Sequence, residues 1–166
     1  MNKINQVVIL AGGKGTRMRE MTHDLPKPMV EIGQKPVLEH LINIFKKYSD
    51  FQFIICSGYL SHYIEDYFQN FPNVKVIFTG EETNTGGRIL NVSDYLDERF
   101  IVTYGDGLAN VNIKSLIDFH NSHQATGTMT VTNPVSRFGL VEFDNNSVVK
   151  KFVEKPTLSG YINIGF

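Results

Sequence analysis

Short apolar runs alternate with amphipathic stretches through most of the chain, and their periods predict a succession of strands and helices. Gln6-Val7-Val8-Ile9-Leu10 is a β-rich apolar run of strand length that ends in glycines. A helix is predicted over 37–48, where Leu38, Leu41, Ile42, Phe45 and Tyr48 share one face. The run 51–56 reads as a buried strand. The next helix has Ser61 as its expected N-cap and Ile64, Tyr67 and Phe68 facing inward. A third strand over 74–79 is closed by Gly80, and a glycine-bearing loop follows over 81–88. After it a short helix carries Ile89, Leu90, Val92 and Leu96, a fourth strand spans 100–104, and a helix over 113–123 turns Ile113, Leu116 and Ile117 toward the sheet. From Thr128 the period is that of strands, over 129–132, 139–143 and 148–153, with hairpin turn chemistry in Asp144-Asn145-Asn146-Ser147.

Strands alternating with helices over the first 125 residues predict an α/β fold, a mostly parallel Rossmann-like sheet with helices on both faces. Ligands of such sheets sit at the carboxyl ends of the strands. The glycine clusters at 12–15, 58, 80–87 and 105–107 all fall at such ends, so one edge of the sheet is built for a ligand.

Composition narrows the classes. At 166 residues the natural expectation is one domain with a sizeable core. A formal net charge of −1 offers no basic surface for nucleic acid or anionic lipid. The apolar runs are strand-sized, too short for a membrane span, and Met1-Asn2-Lys3-Ile4-Asn5 leads directly into the first strand without a signal peptide. The single cysteine, Cys56, lies in a strand-like run and reads as a small buried hydrophobe. These features predict a cytoplasmic protein. The chain stops at Tyr161-Ile162-Asn163-Ile164-Gly165-Phe166, within what reads as a strand, which predicts a C-terminally truncated form of a longer protein.

The chemistry concentrates in Ala11-Gly12-Gly13-Lys14-Gly15-Thr16-Arg17. Glycine admits positive φ and leaves no side chain in the way, so successive N–H groups can converge on an anion, and Arg17 adds donors suited to phosphate. The Walker A pattern is absent, and the dinucleotide fingerprint beginning at Gly13-x-Gly15 meets Met18 where its last glycine belongs. A phosphate cradle of another type and a plain tight turn both fit. Lys27 stands between Pro26 and Pro28, which predict an extended, stiffly held backbone there. Asp106, between two glycines after a buried strand, suits either a Mg²⁺ ion completed by substrate phosphates or an Asx turn. Lys155, before Pro156, is another rigidly presented charge. His23, His40, His62, His120 and His123 have no zinc-ligand spacing, and no Gly-x-Ser-x-Gly elbow supports a hydrolase. The pairs Lys46-Lys47 and Lys150-Lys151 read as solvated faces.

In order, Ile9-Leu10-Ala11-Gly12-Gly13-x-Gly15-Thr16-Arg17, Pro26-Lys27-Pro28, Gly105-Asp106 and Glu154-Lys155-Pro156 resemble the sugar-1-phosphate nucleotidyltransferase family over essentially the whole chain. Thr85-Gly86-Gly87-Arg88, Tyr104-Gly105-Asp106-Gly107, Arg137-Phe138-Gly139 and Ile162-Asn163-x-Gly165-Phe166 most resemble its glucose-1-phosphate cytidylyltransferase subgroup. That resemblance implies a Mg²⁺-dependent enzyme that makes CDP-glucose and pyrophosphate from CTP and glucose 1-phosphate. It implies that Leu10, Ala11, Gly12, Gly13, Lys14, Gly15, Thr16 and Arg17 wrap the nucleotide, with Arg17 on the β/γ side. Lys27 would reach the α-phosphate, Thr83, Gly87 and Arg88 would belong to the nucleotide-recognition loop, Gly105 would line the pocket, and Asp106 would bind the metal. Gly139, Glu154, Lys155 and Asn163 would face the sugar phosphate. Residues 1–125 would then form the nucleotide-binding half and 126–166 the start of the sugar-phosphate-binding half, in a chain that assembles as a homo-oligomer when full length. Two departures stand out: the family's second metal-binding aspartate lies downstream of Phe166, and Asn110 stands where the subgroup often has an acid. Another base or acceptor (dTTP or UTP with glucose 1-phosphate, a heptose, phosphocholine) and a non-catalytic nucleotide-sugar-binding domain are the alternatives.

Overall fold

In the computed structural model, which describes residues 4–14, 24–123 and 125–166, the first apolar run forms strand β1 (Gln6–Leu10). A 3₁₀ turn (Lys27–Met29) leads to the short antiparallel pair β2 (Glu31–Ile32) and β3 (Lys35–Pro36). Helix α1 (Val37–Lys46), β4 (Gln52–Ser57), α2 (Ser61–Phe68) and β5 (Val74–Phe78) follow. Then come α3 (Thr85–Asn91), β6 (Ile101–Tyr104) and α4 (Ile113–Ser122). Strands β1, β4, β5 and β6 make one parallel sheet in the order β5-β4-β1-β6.

The two-residue side-chain period of the strands separates two apolar faces. Val7 and Ile9 of β1 and Phe53 and Ile55 of β4 pack with α1, with Ile64 and Phe68 of α2 and with Ile113 of α4. Val8, Ile54 and Cys56 meet Val92, just beyond α3, and Leu96 on the other face. The sheet is therefore the predicted α/β type, with helices on both sides. Phe45 of α1 meets Phe51 and Phe53 edge-on and stacks on Phe166 at 5.8 Å. Phe166 reaches this core because the Gly165 carbonyl accepts from the Tyr104 N–H and the Thr103 hydroxyl.

Chain order explains where a ligand belongs. From β1 the chain builds outward through β4 to β5, then returns to the other flank of β1 as β6. Such a reversal opens a crevice at the carboxyl ends of the strands where it occurs. Those ends are Leu10-Ala11-Gly12 and Tyr104-Gly105-Asp106.

The chain divides into two compact units, Met1–Thr128 with Gly165–Phe166, and Met129–Ile164. The second holds two antiparallel pairs: β7 (Val131–Thr132) with β10 (Ile162–Asn163), and β8 (Leu140–Phe143) with β9 (Val149–Val153). The β8–β9 turn is the predicted one. Asp144 Oδ1 accepts from the N–H groups of Asn146 and Val148, and these bonds, with Lys150, hold its carboxyl below the usual range.

Several local expectations change. Lys27 is not extended but opens the 3₁₀ turn; Pro28 is tolerated because N–H groups in a first turn need no helical partner. Helix α2 starts at Ser61 itself, and Leu60, in the left-handed region at φ 53°, occupies the cap position. Tyr67 faces outward, its hydroxyl donating to Glu39 at 2.5 Å. Helix α3 begins inside the predicted loop, because Asn84 caps it by accepting from the Gly87 N–H, and its Leu90 is exposed. The closing strand is confined to Ile162–Asn163.

Candidate active site

A cleft of about 500 Å³ opens at the carboxyl edge of the sheet. Its floor is the end of β1 and the loop after it, Leu10 to Gly13, with Lys14 at one side. Lys27 and Pro28 enter from the 3₁₀ turn, Thr83 and Arg88 from the start of α3, and Tyr104 and Asp106 from the end of β6. Of the residues singled out from sequence, Leu10, Ala11, Gly12, Gly13, Lys14, Lys27, Thr83, Arg88 and Asp106 are thus brought together, although they lie far apart in the chain. Gly15, Thr16 and Arg17 lie outside the described residues, as do Met18 and His23.

Four of the charged side chains lining the cleft form two opposite pairs. Lys27 Nζ lies 2.6 Å from Asp106 Oδ2, with the two side chains 35% and 38% exposed. Asp106 therefore spends its carboxylate on a lysine across the cleft. Lys14 pairs with Glu82, whose carboxylate raises the lysine above its ordinary value, while Lys14 holds Glu82 below its own. Among the described residues no group of three or more His, Cys, Asp or Glu could hold a metal unaided. One carboxylate in an open polar cleft nevertheless fits Mg²⁺, which takes one or two carboxylates and fills its shell with water and substrate phosphates.

Arg88 is placed differently from a loop residue reaching for a ligand. It is 5% exposed, in the first turns of α3, and its guanidinium points down against the sheet. Nη1 donates to the Ser57 and Gly80 carbonyls and the Thr79 hydroxyl at 2.7–3.0 Å, and Nη2 to the carbonyls of Gly12 at 2.9 Å and Glu81 at 3.3 Å. Burial draws the guanidinium below its ordinary value. This position explains two glycines. A Cβ on Gly12 would lie 2.0 Å from Arg88 Nη1, and one on Gly58 would lie 2.8 Å from the same atom. Neither Gly12 nor Gly13 has positive φ, so of the two reasons the sequence offered for glycine, turn freedom and close approach, it is close approach that holds at Gly12. No sequence motif announces this use of Arg88; the signal was only that an arginine follows two glycines.

Gly105 and Gly87 serve packing. The Gly105 N–H donates to the Leu10 carbonyl at 2.9 Å, joining the ends of β1 and β6, and a Cβ there would press on Ala11 at 3.1 Å. Gly87 lies in the first turn of α3, where a Cβ would strike Thr83 at 2.9 Å. Thr83 itself donates to the Thr79 carbonyl.

In the second unit, Gly139 and Glu154 are neighbours: a Cβ on Gly139 would meet the Phe152 ring at 2.4 Å and Glu154 Oε2 at 3.0 Å. Lys155 follows with φ 46° and its ammonium 3.9 Å from Glu154. Asn163 belongs to the separate β7–β10 pair, opposite Val131. Among the described residues the histidines do not converge: His40 bonds the Ile32 carbonyl, while His120 bonds Thr128.

Comparison with known proteins gives the family. The chain matches the nucleotidyl transferase family over residues 6–166. It is 41% identical to the glucose-1-phosphate cytidylyltransferase of Salmonella typhi, over 97% of this chain and 73% of that protein. It is 39% identical to the probable glucose-1-phosphate cytidylyltransferase of Bacillus subtilis, with the same two coverages. The crystal structure of HddC from Yersinia pseudotuberculosis complexed with GMP-PN superposes with a TM-score of 0.61 at 32% identity, over 98% of this chain and 74% of that one. A strand-end glycine loop, a lysine and an aspartate meeting in one cleft, and identity sustained along nearly the whole chain lead to one conclusion: the chain belongs to the nucleotidyl transferase family and is a sugar-phosphate nucleotidyltransferase.

Proposed function

We propose that the protein transfers a cytidylyl group from CTP to glucose 1-phosphate, giving CDP-glucose and pyrophosphate. The observation that carries this reading is the Lys27–Asp106 pair in the cleft at the end of β1, in a chain 41% and 39% identical to glucose-1-phosphate cytidylyltransferases. A phosphate oxygen of the sugar attacks the α-phosphorus in line; the new P–O bond forms as the bond to the β-phosphate oxygen breaks, and pyrophosphate leaves. No protein nucleophile is required, because positioning and charge neutralisation supply the catalysis.

In this reading the loop Leu10 to Arg17 holds the nucleotide, and Lys27 leaves Asp106 to neutralise the α-phosphate. Asp106 is the residue that would hold Mg²⁺. When bound, that ion supplies charge neutralisation on the phosphates. Arg17 supports the leaving pyrophosphate, and Thr83, Gly87, Arg88 and Gly105 shape the nucleotide side of the cleft. The first unit is assigned the nucleotide. The second is assigned the sugar phosphate, through Gly139, Glu154, Lys155 and Asn163. We place the reaction in the cytoplasm and the protein in a homo-oligomer.

Pyrophosphate release with CTP, UTP, dTTP and GTP, each with glucose 1-phosphate and Mg²⁺, tests the assignment. CTP is expected to be used at least tenfold faster than the others; a faster reaction with another nucleotide overturns the base choice. GTP is the informative competitor, since HddC, 32% identical, is known complexed with GMP-PN.

A further inference from the structure

We infer that Arg88 is a positioning residue that acts through the main chain of the glycine loop from beneath the cleft, without touching the nucleotide. The inference rests on the nucleotide reading above and adds the device that shapes its phosphate subsite. The five oxygens around the guanidinium are four carbonyls and the Thr79 hydroxyl, and they come from the ends of β1, β4 and β5 and from the loop after β5. One side chain thus ties together three neighbouring strand ends. Its charge is met there by dipoles rather than by a carboxylate.

The consequence for the ligand follows from peptide geometry. In a trans peptide the C=O of one residue and the N–H of the next point in opposite directions, and the described chain contains no cis bond. Arg88 draws the Gly12 carbonyl down toward the sheet. The Gly13 N–H of the same peptide plane is thereby turned the other way, toward the cleft that Gly13 lines. The Tyr59 N–H also donates to the Gly12 carbonyl, at 3.3 Å, which fixes the plane from a second side. An amide held in advance costs no reorientation when an anion arrives, and this is where a preorganised donor gains over a mobile one. The buried guanidinium adds positive potential under the same peptide. Two glycines are the counterpart of this arrangement: a Cβ at Gly12 would fall 2.0 Å from Nη1, and one at Gly58 would press on the Gly12 carbonyl at 2.6 Å and on Nη1 at 2.8 Å.

A double-mutant cycle on the full chain tests the inference, with affinity for inorganic tripolyphosphate in the presence of Mg²⁺ read by calorimetry. Arg88→Met is expected to weaken tripolyphosphate binding on the order of tenfold, and Gly12→Ala by a similar factor. The double variant should be no weaker than either single one, because both break the same Arg88–Gly12 link. Additive losses, or tripolyphosphate affinity within twofold of wild type in Arg88→Met, overturn the inference. The loss in Arg88→Met is expected to be larger for tripolyphosphate than for cytidine; an equal loss of both would mark a role in folding alone and also overturn it. If Arg88→Met does not fold, Arg88→Lys carries the same cycle, since an ammonium lacks the planar fork that spans several carbonyls. Tripolyphosphate has no base, so failure here is distinct from failure of the CTP assignment, which the pyrophosphate-release assay decides.

Discussion

Lys27 and Asp106 lie 79 residues apart in the chain and meet at 2.6 Å in the cleft. Each neutralises the other in the cleft, and in the proposed reaction Lys27 would turn to the α-phosphate and Asp106 would hold the metal. Lys27→Ala and Asp106→Ala are expected to keep the native circular dichroism spectrum and to lower the rate of pyrophosphate release by about 10²–10³. Asp106→Asn is expected to lower the water-proton relaxation enhancement that Mn²⁺–CTP gives on binding the protein, at least severalfold, because the protein's carboxylate ligand is lost. The sequence singled out both residues from their flanking prolines and glycines. It did not reveal that they face one another, because nothing local in the chain records a contact between two loops. Arg88 was legible as a residue of the site but not as a buried one, since its partners are backbone carbonyls, which every residue has.

Elements were legible where one face is uniformly apolar. Helix α1 follows Leu38, Leu41, Ile42 and Phe45, all fully buried, with Glu39 in its first turn and Lys46 in its last. Boundaries set by caps and tertiary contacts were less so: Asn84 starts α3 inside a stretch whose glycines signalled a loop, and Leu60 displaced Ser61 from the cap of α2. Tyr67 was expected inside from its helical phase. It lies outside because its hydroxyl finds Glu39 of α1, which also accepts from Lys35. Lys35 first, then Tyr67, hold the Glu39 carboxyl below its ordinary 4.5, and Glu39 pushes the Tyr67 phenol up to about 12. Tyr67→Phe is expected to cost about 0.5–1 kcal/mol in urea unfolding at neutral pH, the partial exposure of the pair limiting the loss. The sign with pH follows from the two directions. The lowered carboxyl stabilises the fold above 4.5 and ceases to as pH falls through its folded value. The raised phenol contributes fully below 10 and is lost as pH rises toward about 12. The gap between wild type and Tyr67→Phe should therefore be flat across neutral pH and close in acid.

At the scale of the whole molecule, the parallel sheet with both faces covered was legible from the alternation of strand and helix, whereas the lateral order β5-β4-β1-β6 was not. Lateral order depends on which strands find each other across long connections, and the hydrophobic period says nothing of that. Cys56 gives a direct probe of the sheet. It is fully buried in β4, and burial pushes its thiol up to about 11. Its reaction with Ellman's reagent at neutral pH is expected to proceed at the rate of global unfolding and to slow when nucleotide is added. The glycine loop grows from β1, which is hydrogen-bonded on both sides, to β4 and to β6. A strand at the edge of a sheet could fray while the protein stayed folded; β1, paired on both sides, cannot. Heating should therefore erase phosphate affinity and the slowest-exchanging amides of β1 in a single step, with no temperature at which the molecule survives but its grip on the triphosphate has gone.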